Sequence, residues 1–459
     1  MLGATLLVLR LAFLLFSPAE LSGDAFGYVE GAQTIISTGN LPPLSAHPSG
    51  YSILIAPLLF ASGAGIARTV LVMNSLMDCS VVAILLHSAK CVFPLSYQRN
   101  ARLLCWGVAV TQPFTAEMVN YVFTETPVMF FGFVGIWLLF VSRSFVGTAY
   151  GMASLGLASL LRIDILLLNV VCIIIYLAFF GGMRFGKRAG IKACLVFLIF
   201  PGLMLIYQFY SSQEIGFGRY EPQFTGYDAW MRSWFALQKG EYERLAWDLG
   251  RRDWFGFDVS NYPARAFDSI AERDRVAGLL GTWRSEGYST SVDRGFKDIG
   301  YDRFAHHPMR SFILVPTLRM AHYWINLDGA IPYIRVLSIQ RPFSTLIVAF
   351  ALLLRLLLIF LAALGVYGIW FWQRAPVDKQ LHLARFGSLV VLLRTMELGA
   401  LGAILQRGLM EARYVVVAFP FLILLSFWGL HFLFVGEHPN IGVTTVRRHE
   451  PLSYREVDL

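Results

Sequence analysis

The chain is poor in charge. Only 15% of its 459 residues are Asp, Glu, Lys or Arg, against about a quarter in an ordinary soluble domain. So few ionised side chains cannot cover a water-facing surface, which excludes a soluble enzyme; the apolar content excludes a disordered or fibrous chain. Cysteine is scarce too. Cys79, Cys91, Cys105, Cys172 and Cys194 all lie in or beside apolar runs, without metal-ligand spacing, which argues against a disulfide framework and a thiolate metal centre. There is no phosphate-cradling Gly-rich loop, no Walker motif and no nucleophile elbow, so nucleotide hydrolysis has no support. Low-complexity tracts and internal repeats, direct or inverted, are absent as well.

What the chain has is apolar residues: 56% are hydrophobic and 15% aromatic, gathered in runs near the ~20 residues that cross ~30 Å of hydrocarbon. The runs are continuous and leucine-rich rather than alternating, which argues against a β-barrel. Ten spans are expected, at 2–19, 66–89, 101–118, 122–142, 147–162, 163–181, 191–210, 343–372, 386–405 and 413–435. The first is short enough for a signal peptide, but without a basic leader or a clean small-x-small site it is read as a span. The expected fold class is an all-α polytopic membrane protein of about ten transmembrane helices, with interfacial helices and a mostly helical extracytoplasmic domain.

The net charge of +8 would point to nucleic acid in a soluble protein. Here the basic residues sit in alternate loops. One set carries Lys90, Arg99, Arg102, Arg143, Arg184, Lys187, Arg188, Lys192, Arg374, Lys379, Arg385, Arg447, Arg448 and Arg455, whereas residues 20–51 and 117–126 carry none. By the positive-inside rule both termini are cytoplasmic, and 20–65 and 211–340 face outward. No nucleic-acid partner is expected; membrane lipids are. The organisation expected is an N-terminal transmembrane module at 1–210, an extracytoplasmic domain at 211–308, an interfacial helix and C-terminal spans at 309–435, and a cytoplasmic tail at 436–459. The outward domain holds 13 basic and 15 acidic residues, and Tyr242 to Trp254 reads as amphipathic helix. Residues 309–327 are apolar but carry Arg310, Arg319 and His322, which suits a helix lying in the interface.

Polar residues at the outward turns are the candidates for chemistry. Asp24 and Tyr28, four apart, share a face of any helix they form. A partly desolvated carboxylate just outside the first span is a better proton acceptor, although the same Asp serves equally as a helix cap. His47 precedes Pro48, Ser49, Gly50 and Tyr51 in a turn leading back to apolar sequence. Its imidazole suits a phosphate or a proton relay; a plain loop histidine is the alternative. Glu117 and Glu125 lie at the next outward turn, where Glu125 is either a second acid or a favourable charge at a helix start. Arg162 and Asp164 form a tight turn, closing on each other or presenting Arg162 to a lipid-linked phosphate. Arg413 and Tyr414 open the last span, as an interfacial anchor or a second phosphate ligand. Inside spans, Arg10, Asp78, Arg355, Arg394 and Glu397 are read as structural. Asp78 is expected to partner Asn74, and Arg394 to partner Glu397. His306, His307 and His322 lack a recognised metal spacing.

These residues, in this order, resemble the GT-C superfamily of integral-membrane glycosyltransferases. The branch most similar contains protein O-mannosyltransferases and the bacterial transferases that add aminoarabinose to lipid A. The resemblance rests on Asp24 and Tyr28 after the first span, the proline-containing turn His47 to Tyr51, an acid between spans three and four (Glu117 or Glu125), and the Arg162–Asp164 turn. It continues through a large domain after span seven, a His307–Pro308 element leading back to the membrane, and the Arg413–Tyr414 pair. Ser49 stands where that family has a second proline, His47 where the lipid A enzymes have lysine, and Gly23–Asp24 where the mannosyltransferases have adjacent acids.

The resemblance implies transfer of a sugar from a polyprenyl-phosphate donor to a lipid, glycan or protein acceptor on the outer face, with inversion at C1. Asp24 would be the base, with Glu125 beside it. His47, Arg162 and Arg413 would hold the departing phosphate, while Tyr28, Tyr51, Glu117, Asp164 and Tyr414 would position donor or acceptor. No cofactor is certain; a divalent cation at Glu125 is compatible. The expected location is a bacterial inner membrane. Two other activities were weighed, a secondary transporter and a polymerase or ligase of lipid-linked glycans.

Overall fold

The computed structural model describes residues 5, 8, 10, 24–40, 49–92, 98–100, 102–103, 106–108, 119, 122–142, 144–162, 165–178, 186–212, 224–235, 254–325, 341–372, 379–398 and 417–435. Among these residues the protein is all-helical, with no strand. Two helices are long and apolar enough to cross a membrane, Ile66–Ser88 and Leu352–Phe371; Gly50–Ser62, Glu125–Val141, Phe145–Leu161, Leu166–Tyr176, Lys192–Leu203 and Phe419–Leu433 are shorter and also apolar. The expected spans at 2–19 and 101–118 lie mostly outside the described residues.

The N-terminal part holds α1 (Asp24–Thr38), α2 (Ser49–Ser62), α3 (Ile66–Val92), α4 (Glu125–Val141), α5 (Phe145–Leu161), α6 (Leu166–Tyr176) and α7 (Gly186–Ser212). The α4–α5 hairpin fixes the site geometry. Ser142 ends α4 in an extended conformation, and Ser144 caps α5 by accepting from the Gly147 amide at 3.1 Å. That cap satisfies an otherwise orphaned donor and starts the second helix at once. The helices therefore return antiparallel, with the start of α4 beside the end of α5. Pro127 falls in the first turn of α4, where its missing N–H costs nothing.

The C-terminal part holds α12 (Arg341–Tyr367), α13 (Lys379–Met396) and α14 (Phe419–Val435). α12 and α14 touch backbone to backbone: a methyl on Gly365 would strike the Leu425 carbonyl, and one on Gly429 the Leu361 carbonyl. Small residues permit this approach, and dispersion between the two backbones rewards it. The outward faces of α7 and α12 are apolar and exposed, through Leu195, Leu198, Leu203, Phe350, Leu353 and Phe360.

Between these parts, α8 (Thr225–Arg232), α9 (Ile270–Glu286) and α10 (Thr290–His306) build a module with an aromatic core. Tyr227 and Trp230 of α8 pack against Trp254, Tyr262, Trp283 and Phe296 with ring centroids 5.3–5.6 Å apart. The N-terminus of α8 sits on Asp293: the Gly226 amide and the Thr225 hydroxyl donate to its carboxylate at 2.6 and 3.1 Å. A carboxylate there completes the free amides and opposes the helix dipole.

α10 ends at His306, and a π-turn over Arg310–Leu314 leads into α11 (Val315–Ile325). This segment leaves Met309, Phe312, Ile313, Leu314 and Leu318 exposed while burying Arg319. Arg319 donates to the carbonyls of Phe235 (2.6 Å) and Arg232 (2.7 Å), at and just past the C-terminal end of α8, where unsatisfied carbonyls favour a cation. Residues 242–253, part of the expected amphipathic helix, lie outside the described residues; Trp254 at its end stands outside any helix and belongs to the aromatic core.

Two expected pairings can be compared with the structure. Arg394 does bond Glu397, at 2.6 Å. Asp78, expected to partner Asn74, bonds Arg10 of the first apolar run at 3.0 Å, while Asn74 donates to the Val119 carbonyl at 3.5 Å. A buried carboxylate gains far more from a cation than from an amide. Arg355 lies over the Phe419 ring, 5.5 Å from its centroid.

Candidate functional site

The α4–α5 hairpin places Glu125, the first residue of α4, beside Arg162, the residue that ends α5. Arg162 Nη1 donates to Glu125 Oε1 at 2.8 Å, and both residues are more than 90% buried. Each charge sits at the helix terminus that favours it, the acid at an N-terminus and the cation at a C-terminus. The local alternative, Arg162 closing its turn on Asp164, cannot be read, because Asp164 lies outside the described residues.

The segment after the first apolar run folds onto the same place. α1 and α2 pack together: Ser52 Oγ donates to the Tyr28 carbonyl at 3.0 Å, and the Tyr28 and Tyr51 rings meet edge to face at 4.9 Å. α2 then crosses the end of α5. Gly50 lies so close to Leu160 that a methyl at its Cα would overlap the Leu160 carbonyl. That contact carries the next residue, Tyr51, into the apolar cluster holding Val122, Val128, Leu161 and Ile165, the neighbours of Glu125 and Arg162. Tyr51 is wholly buried. Burial pushes its phenol well above the usual range, and Tyr28 and Glu125 push it further.

Asp24 opens α1 one turn before Tyr28 and is partly exposed. Tyr28, Tyr51, Glu125 and Arg162 are all buried, so Asp24 is the most exposed of the five. The structure therefore brings together side chains from α1, α2, the start of α4 and the end of α5. His47, Glu117, Asp164, Arg413 and Tyr414 lie outside the described residues. Gly50, Ser52 and Thr126 were not singled out from sequence. Gly50 carried a visible signal, a glycine at the head of an apolar helix; Ser52 and Thr126 carried none.

The arrangement offers a partly exposed carboxylate one helical turn from a buried, charge-balanced, hydroxyl-bearing cluster. The carboxylate can accept a proton, and the cluster can orient polar groups where low dielectric strengthens each contact.

A second polar cluster lies in the module. Asp268 receives Arg310 through two hydrogen bonds (2.6 and 2.8 Å) and Arg303 through two more (2.7 and 3.1 Å), and His307 Nε2 is 3.5 Å away. Arg303 is buried and also donates to the carbonyls of Ala266 and Arg265. Partial burial alone would raise the Asp268 carboxyl; the hydrogen bonds and charges of Arg310 and Arg303 outweigh it and hold the group well below the usual carboxylate range. A cleft of about 420 Å³ opens beside this cluster, lined by Glu272, Arg275, Asp302 and His306 among others. Among the described residues no three His, Cys, Asp or Glu side chains are grouped so as to hold a metal ion.

No family model, no curated protein and no solved structure matches the chain.

Proposed function

We propose that this chain is a polytopic membrane glycosyltransferase that takes a sugar from a polyprenyl-phosphate donor and hands it to an acceptor on the extracytoplasmic face. One observation carries the reading. The loop charges assign residues 20–65, the turn before α4 and the turn after α5 to one side of a membrane, and buried Tyr28, Tyr51, Glu125 and Arg162 from those three places pack together, with Asp24 one turn before Tyr28. The exposed apolar faces of α7 and α12 suit contact with lipid, and the Arg10–Asp78 and Arg394–Glu397 pairs suit charges kept inside a bundle.

In this reading Asp24 takes the proton of the acceptor hydroxyl. The freed oxygen attacks C1 opposite the phosphate, configuration inverts, and polyprenyl phosphate leaves. Glu125 neutralises much of the Arg162 charge, so Arg162 acts on the donor as a hydrogen-bonded dipole more than as a bare cation. The main countercharge to the leaving phosphate falls to His47 and Arg413. The sequence order shared with GT-C transferases supports the same assignment.

The test is transfer by the purified chain in nanodiscs, using labelled polyprenyl-phosphate sugars and mass analysis of the product. Wild type should transfer one sugar, and Asp24→Asn should lose transfer while folding normally. Near wild-type turnover in Asp24→Asn would remove Asp24 as the base. Uptake of solute by proteoliposomes without transfer would favour a transporter, and transfer of an oligosaccharide a polymerase or ligase. Cysteine-accessibility mapping across the ten expected spans tests the topology separately.

A further inference from the structure

Two hydroxyls on the helices that build the candidate site have no hydrogen-bond partner among the described residues: Tyr51 Oη and Thr126 Oγ1, both wholly buried. They stand on different helices. Thr126 follows Glu125 in the first turn of α4, and Tyr51 is delivered by the Gly50–Leu160 crossing of α2 over α5. A buried hydroxyl left unbonded costs free energy comparable to a lost hydrogen bond, so such groups in folded proteins are met by water or a ligand. Carbon would fill the volume more cheaply. Phe in place of Tyr51 keeps the edge-to-face contact with Tyr28, and Val in place of Thr126 keeps the shape.

We infer that Tyr51 and Thr126 are donors to a small oxygen ligand seated against Glu125, and that this ligand is a hydroxyl of the acceptor, with water in its place when no acceptor is bound. The pairing of donor and acceptor selects this class. A hydroxyl oxygen can accept from Tyr51 and still donate its own proton to a carboxylate. A phosphate oxygen can only accept, and it would face the Glu125 charge. The bare oxygen of an ether satisfies the tyrosine alone. Burial also fits, because it raises the Tyr51 phenol well above its ordinary range and keeps it a donor at any physiological pH. Tyr51 is thus a positioning residue for the acceptor, distinct from Asp24, the proposed base. The identity of the ligand as acceptor rests on the proposed function; the site for an oxygen does not.

Two measurements test it. In the transfer assay, Tyr51→Phe should raise KM for the acceptor about tenfold, leave KM for the polyprenyl-phosphate donor unchanged and hold kcat within a few-fold, with Thr126→Val showing a smaller effect of the same kind. A raised donor KM with an unchanged acceptor KM, or no change at all, overturns the inference. The second measurement is an experimental map of the wild-type chain at a resolution that shows ordered water. Density for an oxygen within about 3.2 Å of Tyr51 Oη supports the site whether or not transfer is observed, and a hydroxyl packed only against carbon overturns it. Absence of transfer by wild type alongside such density would sink the proposed function and leave the oxygen site standing.

Discussion

Arg162 reaches back 37 residues in sequence to place its Nη1 2.8 Å from Glu125 Oε1, joining the end of α5 to the start of α4. Both groups are buried, so each depends on the other for its charge to be tolerable.

Removing both partners should therefore cost less than the two single removals added together. Glu125→Gln or Arg162→Met alone should destabilise the chain by about 3–5 kcal/mol, and the double variant by clearly less than the sum. Thermal or denaturant unfolding in detergent gives the four values of the cycle. Strict additivity would mean that the two groups do not sense one another.

Gly50→Ala should be among the most damaging single-methyl changes in the chain. The new carbon meets the backbone carbonyl of Leu160, which cannot swing away as a side-chain end can. We expect a loss of about 1–3 kcal/mol and displacement of Tyr51 from Tyr28. A Gly65→Ala control, whose methyl would meet only Ser62 Cβ at an ordinary 3.9 Å, should stay within about 1 kcal/mol of wild type. Equal behaviour of the two variants would show that α2 does not cross α5 so closely.

The Asp268 cluster makes the module acid-sensitive in a defined direction. The folded carboxyl is held below its unfolded value of about 3.9, so its contribution is complete at neutral pH. It is lost as pH falls below that unfolded value toward the lower folded one. Asp268→Asn should lower stability at pH 7 by about 2 kcal/mol, because buried Arg303 is left with the Glu272 carboxylate, at 3.3 Å, and the part-exposed Arg310 loses its anion. Near pH 2 the difference should shrink. A constant gap between wild type and variant across that range would show that the carboxylate charge is not what matters.

Arg319→Met should loosen α11 from α8 while keeping most of the side chain's bulk. The carbonyls of Phe235 and Arg232 lose their donor, costing about 2–4 kcal/mol. Limited proteolysis should then cut around residues 232–236 faster than in wild type. An unchanged digestion pattern would mean that other contacts hold the two helices.

Helices were legible from the sequence because continuous apolar runs leave few alternatives: α3, α4, α5 and α14 begin and end within about six residues of the expected spans. Pairings across the fold were not. Sequence offered Asn74 to Asp78 and Asp164 to Arg162 because neighbours along the chain are all that spacing can see. The partners observed, Arg10 and Glu125, stand 68 and 37 residues away. Glu125 and Arg162 were each visible as charges where charge is costly, yet nothing linked them until the hairpin did. The Asp268 hub left one faint trace, the Ser269–Glu272 helix start, in which the Glu272 amide donates to Ser269 Oγ and the Asp268 amide to Glu272 Oε2. His306 and His307 stood out more in the sequence than the buried Arg303 that organises their surroundings.

The grip of Arg319 on α8, together with that of Arg310 on Asp268, has a mechanical outcome. The π-turn and α11 leave Met309, Phe312, Ile313, Leu314 and Leu318 exposed while Arg310 and Arg319 hold the same segment to the module, so the module and this apolar strip move as one lever. A force on that strip is passed directly to α8 and to the Asp268 cluster through these two side chains.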